Sequence, residues 1–408
     1  MIAYHFPPLQ GSSGIQRTLR FAQHLPRFGW QPLVLTADPR AYERTSEDLN
    51  ADVPAGTVVR RAFALDTARH LSIAGRYVGA MARPDRWVSW RFDAVRVGLQ
   101  MIRQFKPRAI WSTYPIATAH LIGAALHRKT GLPWIADFRD PMAQDGYPAD
   151  PLTHAQYVDI EREVLHHAQR SMFTTPGAAR NYARRYPAAA ERIMVLENGY
   201  DEESFAAAES GAGDRSPLNP GCFTLLHSGI VYPSERDPTQ LMQALRQLAG
   251  SGALRPGQLK IRFRASAHDG LLKNLAEQHG VSDFVELMPP VGYREALAEM
   301  LRADALLVMQ ASNCNAQVPA KVYEYLRSRR PIVTLTDPAG DTAEVLRRSG
   351  VTTSARLDDA DEISRLLHAL PGGSAEGLLA TPAAVQAASR AGRTAVLAGE
   401  LDRLQTQA

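Results

Sequence analysis

The stretch AIWSTYPIATAHLIGAALHRKTGLPWIADFRDP, residues 109–141, reads as a strand, a helix and a second strand. AIWST (109–113) and PWIADF (133–138) are short apolar runs, and Ala117–Lys129 between them is an amphipathic segment of helix length. Strands that alternate with helices of this length are typical of parallel sheets covered on both faces. The stretch therefore predicts one unit of an α/β fold.

The same alternation extends along the whole chain. Further helical patterns lie at Ser13–Phe28 and Thr153–Ala168. Further strands are predicted at PLVLTA (32–37), SMFTT (171–175), RIMVLE (192–197), FTLLHS (223–228), KIRFRA (260–265), FVELM (284–288), ALLVM (305–309) and PIVTLT (331–336). The fold class that follows is α/β, with doubly wound, Rossmann-like sheets.

The length of 408 residues favours two domains. The segment AAAESGAGDRSPLNPG (206–221) is rich in Gly, Ser, Pro and Ala and predicts a linker. We therefore expect an N-terminal domain over 1–205 and a C-terminal domain over 222–378, facing a central cleft at the carboxyl ends of their strands. Residues 379–408 should form a last helix that packs back on the N-terminal domain.

Composition excludes several classes of protein. Two cysteines, Cys222 and Cys314, cannot build a disulfide framework, and no Cys/His pattern indicates zinc. No apolar run approaches the roughly 20 residues of a membrane span, and no dense basic run indicates nucleic acid. These features predict a cytoplasmic protein.

Charge divides unevenly between the two halves. Residues 1–200 carry a net charge of +8 and residues 201–408 a net charge of −4. The basic half could meet an acidic acceptor or the anionic inner face of the plasma membrane. Alternatively, its arginines are simply spread over solvated faces. The segment 70–92, with Trp87 and Trp90, predicts a membrane-surface helix beside a lipid-linked acceptor, or else a core helix.

The loop HFPPLQGSSGIQR (5–17) precedes the first predicted helix. Gly11 and Gly14 would let the backbone approach a ligand, and free N–H groups at a helix start favour an anion. A tight turn would explain the glycines equally well. The strand before this loop, MIAY, is short for a central strand. We therefore expect that the natural protein starts upstream and that Met1 is an internal residue.

Charged residues lie at the end of the second strand of the opening stretch. Asp137, Arg139 and Asp140 should point toward the cleft, or should form an ion pair that caps the next helix. The turn ENGYD (197–201) is explained as a plain turn, or else, together with the linker, as a hinge of domain closure.

Two stretches of the second half suit a nucleotide's phosphates. HSGIVYPSERDP (227–238) provides Ser228, Gly229 and Arg236 after the first strand of the C-terminal domain. QVPAKVYEYLRSRRPIV (317–333) should start a helix at Pro319, whose free N–H groups would face the cleft.

Within this second stretch, Lys321, Glu324 and Tyr325 have i, i+3 and i+4 spacing and so share one helix face. Lys321 could offset diphosphate charge and Glu324 could accept hydrogen bonds from a ribose, or the two could form an ordinary surface pair. The DDAD sequence (358–361) contains a DxD pattern, but its carboxylates are better explained as the start of a helix. We predict no metal site.

Taken together in this order, these stretches resemble the family 4 glycosyltransferases, which have the GT-B fold. The resemblance includes YHFPPLQGSSGIQR, LPRFGWQPLVLT, STYPIATAHLIGAALHRKTGLPWIADFRDP, ERIMVLENGYD, HSGIVYPSERDP, GYREALAEMLRADALLV and PAKVYEYLRSRRPIV. It implies a retaining transfer of a sugar from a nucleotide-sugar, with no cofactor and no obligatory metal.

The resemblance also assigns residues to roles. Arg139 and Asp140 would be catalytic, and Arg17 and His120 would lie on the acceptor side. Arg236 stands where the family usually has a phosphate-binding lysine, and Glu324 matches the second Glu of its E-x7-E motif. The donor-binding residues would be Gly11, Gly14, Ser228, Gly229, Arg236, Ala320, Lys321 and Glu324.

Two positions depart from the family pattern. Ala316 replaces the first Glu of E-x7-E, and Arg139 stands where a sugar-contacting histidine is common. The expected function is that of a hexosyl- or N-acetylhexosaminyltransferase of bacterial surface polysaccharide synthesis, acting on a saccharide or lipid-linked acceptor. The alternatives are a GT-B-fold nucleotide-sugar epimerase and a non-catalytic nucleotide-sugar-binding homologue.

Overall fold

The strands predicted from the apolar runs form two parallel sheets, one in each of two domains. The computed structural model describes residues 1–12, 14–47, 49–211, 216–372 and 375–406. The chain divides into Met1–Glu197 with Arg390–Ala408, here called the first domain, and Asn198–Ser389, the second domain.

Among its described residues, the first domain contains six strands and seven α-helices, of which six precede the domain boundary. The strands are β1 (Leu33–Ala37), β2 (Val58–Ala62), β3 (Ile110–Thr113), β4 (Trp134–Arg139), β5 (Arg170–Phe173) and β6 (Ile193–Val195). The helices are α1 (Gly14–His24), α2 (Thr67–His70), α3 (Trp90–Phe105), α4 (Thr118–Thr130), α5 (Pro151–His167) and α6 (Pro176–Arg185).

The strands of this domain pair in parallel, as β2-β1 and as β3-β4-β5-β6. Ile2 forms parallel bridges to both Leu35 and Ser112 and so joins β1 to β3. The first residues of the chain therefore lie in the middle of the sheet. The pairing of β4 with β5 shifts its register between Asp137 and Arg139.

The second domain has a six-stranded parallel sheet in the order β12-β11-β10-β7-β8-β9. Its strands are β7 (Phe223–Ser228), β8 (Leu259–Arg264), β9 (Val285–Met288), β10 (Ala305–Gln310), β11 (Ile332–Thr336) and β12 (Ser354–Ala355). Its helices are α7 (Glu202–Gly211), α8 (Thr239–Gly250), α9 (Asp269–His279), α10 (Tyr293–Arg302), α11 (Lys321–Ser328), α12 (Asp341–Arg348), α13 (Ala360–Ala369) and α14 (Pro382–Ala387).

The chain ends in α15 (Arg390–Thr406), which belongs to the first domain. Leu397, Leu401 and Leu404 of this helix pack in one cluster with Phe21 and Leu25. Short 3-10 helices lie at Leu25–Phe28, Pro39–Ala41, Gly79–Ala82, Pro187–Arg192, Ser282–Phe284 and Ser312–Cys314. Among the helices of the described residues, none has both the length and the apolar character needed to cross a membrane.

The predicted linker is wrong for residues 206–211, because these residues continue α7. Phe205 and Ala208 of α7 are buried in the second domain, and Arg327 forms ion pairs with Glu202 and Glu209. The domain boundary accordingly falls after Glu197 instead of after residue 205. Residues 212–215 of the predicted linker, and Ser13 of the first predicted helix, lie outside the described residues.

Candidate active site

The two glycines of the loop before α1 differ in what requires them. Gly11 has a φ of +85° and is exposed, with open space around the position of a side chain. Gly14 is buried at the start of α1, where a Cβ atom would lie 2.4 Å from His5 Nδ1 and 2.8 Å from Arg139 Nη1. Gly14 therefore makes room for two side chains of the protein, and contact of either glycine with a donor stays a prediction.

Arg139 and Asp140 lie at the carboxyl end of β4. The Arg139 side chain is partly buried, and its Nη1 donates to the carbonyl oxygen of Tyr114 at 3.3 Å. Burial lowers its pKa. Asp140 is exposed, and its carboxylate lies 3.5 Å from the Thr174 hydroxyl. An exposed carboxylate and a guanidinium thus sit side by side where the sequence predicted polar groups.

Sequence reasoning overlooked two neighbours of Arg139. Ser12 Oγ and His5 Nδ1 are hydrogen-bonded at 3.0 Å. Burial, together with the positive charge of Arg139, lowers the pKa of His5 to about 4, so the ring is neutral at pH 7. Both residues lie in the glycine-containing loop 5–17, and their polar side chains are the signal that the sequence offers.

The acceptor-side assignment of Arg17 is wrong. Its side chain is 5% exposed and forms a bidentate ion pair with Asp137, with Nε–Oδ2 and Nη2–Oδ1 distances of 2.7 and 2.8 Å. The same guanidinium donates to the carbonyl oxygen of Leu196 at 2.9 Å. Arg17 therefore ties α1 to the ends of β4 and β6, and Asp137 is a structural partner.

The acceptor-side assignment of His120 is also wrong, because the ring is completely buried. His120 Nδ1 is hydrogen-bonded to Ser112 Oγ at 2.8 Å, and the ring packs 5.0 Å from that of Phe138, measured between centroids. Burial lowers its pKa to about 4. His120 is a neutral core histidine.

The segment 70–92 is not a continuous membrane-surface helix. Trp90 is fully buried as the first residue of α3, and the Trp87 ring lies 4.7 Å from that of Tyr4 between centroids. The exposed apolar side chains of this segment are instead those of the loop before α3, including Ile73 (84% exposed) and Val78 (65%).

The second domain has a cavity of about 290 Å³ at the carboxyl end of β7 and the start of α11. Five of the six donor-binding residues predicted for this domain line it: Ser228, Gly229, Arg236, Ala320 and Lys321. The helix begins at Lys321, two residues after the predicted Pro319. Two cationic side chains and the start of a helix thus share one cavity.

The sixth residue, Glu324, contacts one of these cations. Lys321 Nζ lies 3.1 Å from Glu324 Oε2, and the Tyr293 hydroxyl donates to Glu324 Oε1 at 2.9 Å. The predicted helix face is therefore present. Tyr293 was overlooked, although its position just after β9 was the available signal.

Tyr325 and His227 complete the cavity. The Tyr325 hydroxyl accepts a hydrogen bond from the Ser228 backbone N–H at 2.9 Å, and burial raises the pKa of Tyr325. His227 Nδ1 donates to the carbonyl oxygen of Leu307 at 2.9 Å. Burial lowers the pKa of His227 to about 4, so the positive charge here comes from Arg236 and Lys321.

The DDAD sequence has the structural role expected for it. Asp359 caps α13, since its Oδ1 accepts from the N–H groups of Asp361 and Glu362 at 3.0 and 2.9 Å. Asp358 forms an ion pair with Arg356. Within the described ranges, no group of three or more His, Cys, Asp or Glu side chains is arranged to hold a metal ion.

With this geometry in place, comparison with known proteins identifies the first domain. Residues 13–199 match the family described as "Glycosyl transferase 4-like domain". The first domain is a glycosyl transferase 4-like domain. The chain is 30% identical over 159 residues to D-inositol 3-phosphate glycosyltransferase of Streptosporangium roseum, a match that covers 38% of this chain and 36% of that protein. It thus spans little more than a third of this relative's length, and the resemblance to family 4 glycosyltransferases is confirmed.

Solved structures share the two-domain architecture. Anabaena Alr3699/HepE in complex with UDP aligns with a TM-score of 0.61 at 12% identity, over 100% of this chain and 96% of that one. Sucrose-phosphate synthase from Thermosynechococcus elongatus aligns with a TM-score of 0.61 at 15% identity, over 100% and 99%. The predicted GT-B fold, a glycosyl transferase 4-like domain followed by a second Rossmann-like domain, is confirmed.

Proposed function

We propose that this chain is a retaining glycosyltransferase that moves a sugar from a nucleotide-sugar to a saccharide or lipid-linked acceptor. The observation that carries the proposal is the second-domain cavity, where Arg236, Lys321 and the start of α11 surround about 290 Å³. Groups that donate hydrogen bonds or carry positive charge around one cavity suit a diphosphate. A related fold is known in complex with UDP and with UDP-glucose, which makes these molecules the natural probes.

In the proposed reaction, bond cleavage places negative charge on the leaving diphosphate. Lys321, Arg236 and the N–H groups at the start of α11 would stabilise that charge without an obligatory metal. Glu324, already held by Lys321 and Tyr293, would accept hydrogen bonds from the ribose. The first domain would supply Arg139 and Asp140 to orient the sugar or the acceptor hydroxyl. We assign no protein nucleophile.

The acceptor class is part of the proposal. A lipid-linked acceptor of cell-envelope polysaccharide synthesis is supported by the loop around Ile73 and Val78, whose apolar side chains are 84% and 65% exposed. Apolar side chains beside arginines such as Arg76 suit the inner face of an anionic membrane. Co-sedimentation with vesicles containing anionic lipid should fall for Ile73→Ser with Val78→Ser. Equal sedimentation of this variant and the wild type would contradict the proposed contact of this loop with a membrane.

A thermal-shift panel of UDP-, GDP- and ADP-linked sugars tests the donor site. A specific ligand at about 100 times its Kd stabilises a protein by about 2.7 kcal/mol, which corresponds to a rise in melting temperature of roughly 5–10 °C for a domain of this size. Lys321→Ala should abolish the rise, whereas Lys273→Ala should keep it, because Lys273 belongs to an exposed pair on α9.

Product analysis then separates the reaction classes. Sugar transfer to an acceptor supports the proposal, and an epimerised nucleotide-sugar would replace it with an epimerase. Binding without turnover would indicate a non-catalytic homologue, for which Ala316 is the sequence argument. If no nucleotide-sugar changes the melting temperature, or if Lys321→Ala and Lys273→Ala behave alike, the donor site is wrong.

A further inference from the structure

The backbone at Arg139 has an unusual conformation that the neighbouring strand holds in place. Its φ is +61°, in the left-handed region that side chains other than glycine rarely adopt. Both the N–H and the hydroxyl of Thr174 donate to the Arg139 carbonyl oxygen, at 2.8 Å each. The register shift between β4 and β5 occurs at the same point. Such an irregularity at the end of a strand redirects a side chain, and here it directs Arg139 toward the start of α1.

The partly buried Arg139 guanidinium has no ion-pair partner among the described residues. Its single hydrogen bond to a described residue is the one from Nη1 to the Tyr114 carbonyl oxygen, and its Nε is buried without a partner. Asp137, the nearest carboxylate along β4, is already occupied by Arg17. Asp140 favours the charged form of Arg139 but forms no ion pair with it among the described residues. Even partial removal of an unpaired charge from water is unfavourable.

The groups between Arg139 and the start of α1 add no negative charge, and the nearby carboxylates are those of Asp140 and Asp137. His5 is neutral, Ser12 is uncharged, and the first turn of α1 contains no acidic residue. The start of α1 lies against the guanidinium, since a Cβ atom on Gly14 would approach Nη1 to 2.8 Å. The partial positive charge of a helix start adds to that of the guanidinium. At the carboxyl end of its sheet, the first domain therefore places a guanidinium that has no ion-pair partner among the described residues beside a helix start.

We propose that Arg139 binds an anionic group, a phosphate or a carboxylate, of the molecule that occupies the first domain. An anion at this place pairs the guanidinium and interacts with the start of α1. This proposal rests on the proposed function. The acceptor is then a saccharide that carries a phosphate or a carboxylate. A neutral sugar leaves Arg139 without its partner.

Histidine NMR can read this site separately from the cavity of the second domain. In protein labelled with ¹⁵N-histidine, the His5 signals are identified by their loss in His5→Gln. The probes are glucose 6-phosphate, glucuronate and glucose, and the measured quantity is the pKa of His5. Because Arg139 lowers that pKa, a bound anion that offsets its charge should raise the pKa by about one unit. Glucose should leave it unchanged.

Variants connect the response to Arg139. Arg139→Gln should itself raise the pKa of His5 and should abolish the response to both charged sugars. Arg139→Lys keeps the charge and should retain a weaker response, which provides a second test if the glutamine variant folds poorly. Arg103→Gln, on the exposed end of α3, should respond like the wild type.

The outcomes separate this inference from the proposed function. The Arg139 site is overturned if neither charged sugar moves the His5 pKa, if glucose moves it equally, or if Arg139→Gln still responds. A larger response to glucose 6-phosphate than to glucuronate assigns the site to phosphate, and the reverse assigns it to carboxylate. If the charged sugars act as expected while no nucleotide-sugar binds the second domain, the anion site stands and the proposed transferase activity fails.

Discussion

Arg17 of α1 and Asp137 of β4 form a bidentate ion pair, with N···O distances of 2.7 and 2.8 Å and side-chain exposures of 5% and 0%. The carboxylate also accepts from the Thr113 hydroxyl at 3.0 Å. One pair thus joins the first helix to two neighbouring strands. The residues are 120 positions apart in the sequence, and the pair fixes the place from which the loop of Gly14 and His5 meets Arg139.

Breaking this pair should destabilise the first domain. Arg17→Met leaves Asp137 as a buried charge without a counterion, and removal of one partner of a buried pair costs about 3–5 kcal/mol. All five tryptophans of the chain lie in the first domain, so urea unfolding followed by tryptophan fluorescence reports that domain.

The matched control is the double variant Arg17→Met with Asp137→Leu, which removes both charges. It should be more stable than Arg17→Met alone, because an apolar replacement leaves no unpaired group. Equal unfolding free energies for Arg17→Met and the wild type would show that the pair is unimportant for stability.

Gly14 and Gly11 should respond differently to alanine. A Cβ atom at Gly14 would lie 2.4 Å from His5 Nδ1 and 2.8 Å from Arg139 Nη1, so both side chains must move. Gly14→Ala should therefore lower sugar transfer at least tenfold, by about 1.4 kcal/mol or more in transition-state stabilisation. At Gly11 the space is open and the φ of +85° is the sole obstacle.

Gly11→Ala should accordingly cost about 1–2 kcal/mol of folding stability. The pKa of His5 should stay as low in this variant as in the wild type, because Arg139 still lowers it. The two readouts are the turnover rate and the pKa of His5, measured in both variants. A Gly14→Ala enzyme with wild-type turnover and an unchanged His5 pKa would refute the close packing of Gly14 against His5 and Arg139.

The strands could be predicted from the sequence because both faces of each sheet are buried. FTLLHS and ALLVM are continuous apolar runs, and β7 and β10 lie at these places. β2 escaped prediction because its sequence, VVRRA, contains Arg60 and Arg61, both exposed at the edge of the sheet. Helix α7 escaped prediction because its Ala, Gly and Ser residues are also typical of linkers, although Ala strongly favours helix.

The candidate site was predictable only in part. The residues around the second-domain cavity come from two local motifs, each of which places its side chains by helix or loop geometry alone. Arg17 and His120 were misassigned because burial depends on distant partners: Asp137 for the one, and Ser112 with Phe138 for the other. The local sequence around a polar residue does not show whether a residue distant in the chain pairs with it and buries it.

Acid should destabilise the first domain between pH 6.5 and about 4. The pKa of His120 is about 4 in the folded state, lowered by burial from 6.5, so the unfolded chain binds more protons in this range. Stability therefore falls with falling pH, by up to about 1.4 kcal/mol per pH unit for one histidine. Below about pH 4 this contribution becomes constant.

Urea unfolding by tryptophan fluorescence at several pH values measures this slope. His120→Asn, which cannot take up the proton, should be less stable at pH 7 but should show a slope smaller by about one proton. His154→Asn, on α5, keeps His120 and should keep the full slope. The same slope for His120→Asn and the wild type would mean that His120 does not cause the acid sensitivity.

Asp359 should matter for stability and not for catalysis, although it stands in a DxD pattern. Its Oδ1 accepts from two N–H groups at the start of α13, so Asp359→Ala should cost the second domain about 1 kcal/mol. The control is Asp358→Ala, which removes an exposed pair with Arg356 and should cost less than about 0.5 kcal/mol. Circular dichroism gives the unfolding free energies, and turnover with and without EDTA gives the activity. Loss of turnover in Asp359→Ala, or in the wild type with EDTA, would indicate a metal-binding role for this sequence and would contradict the capping explanation.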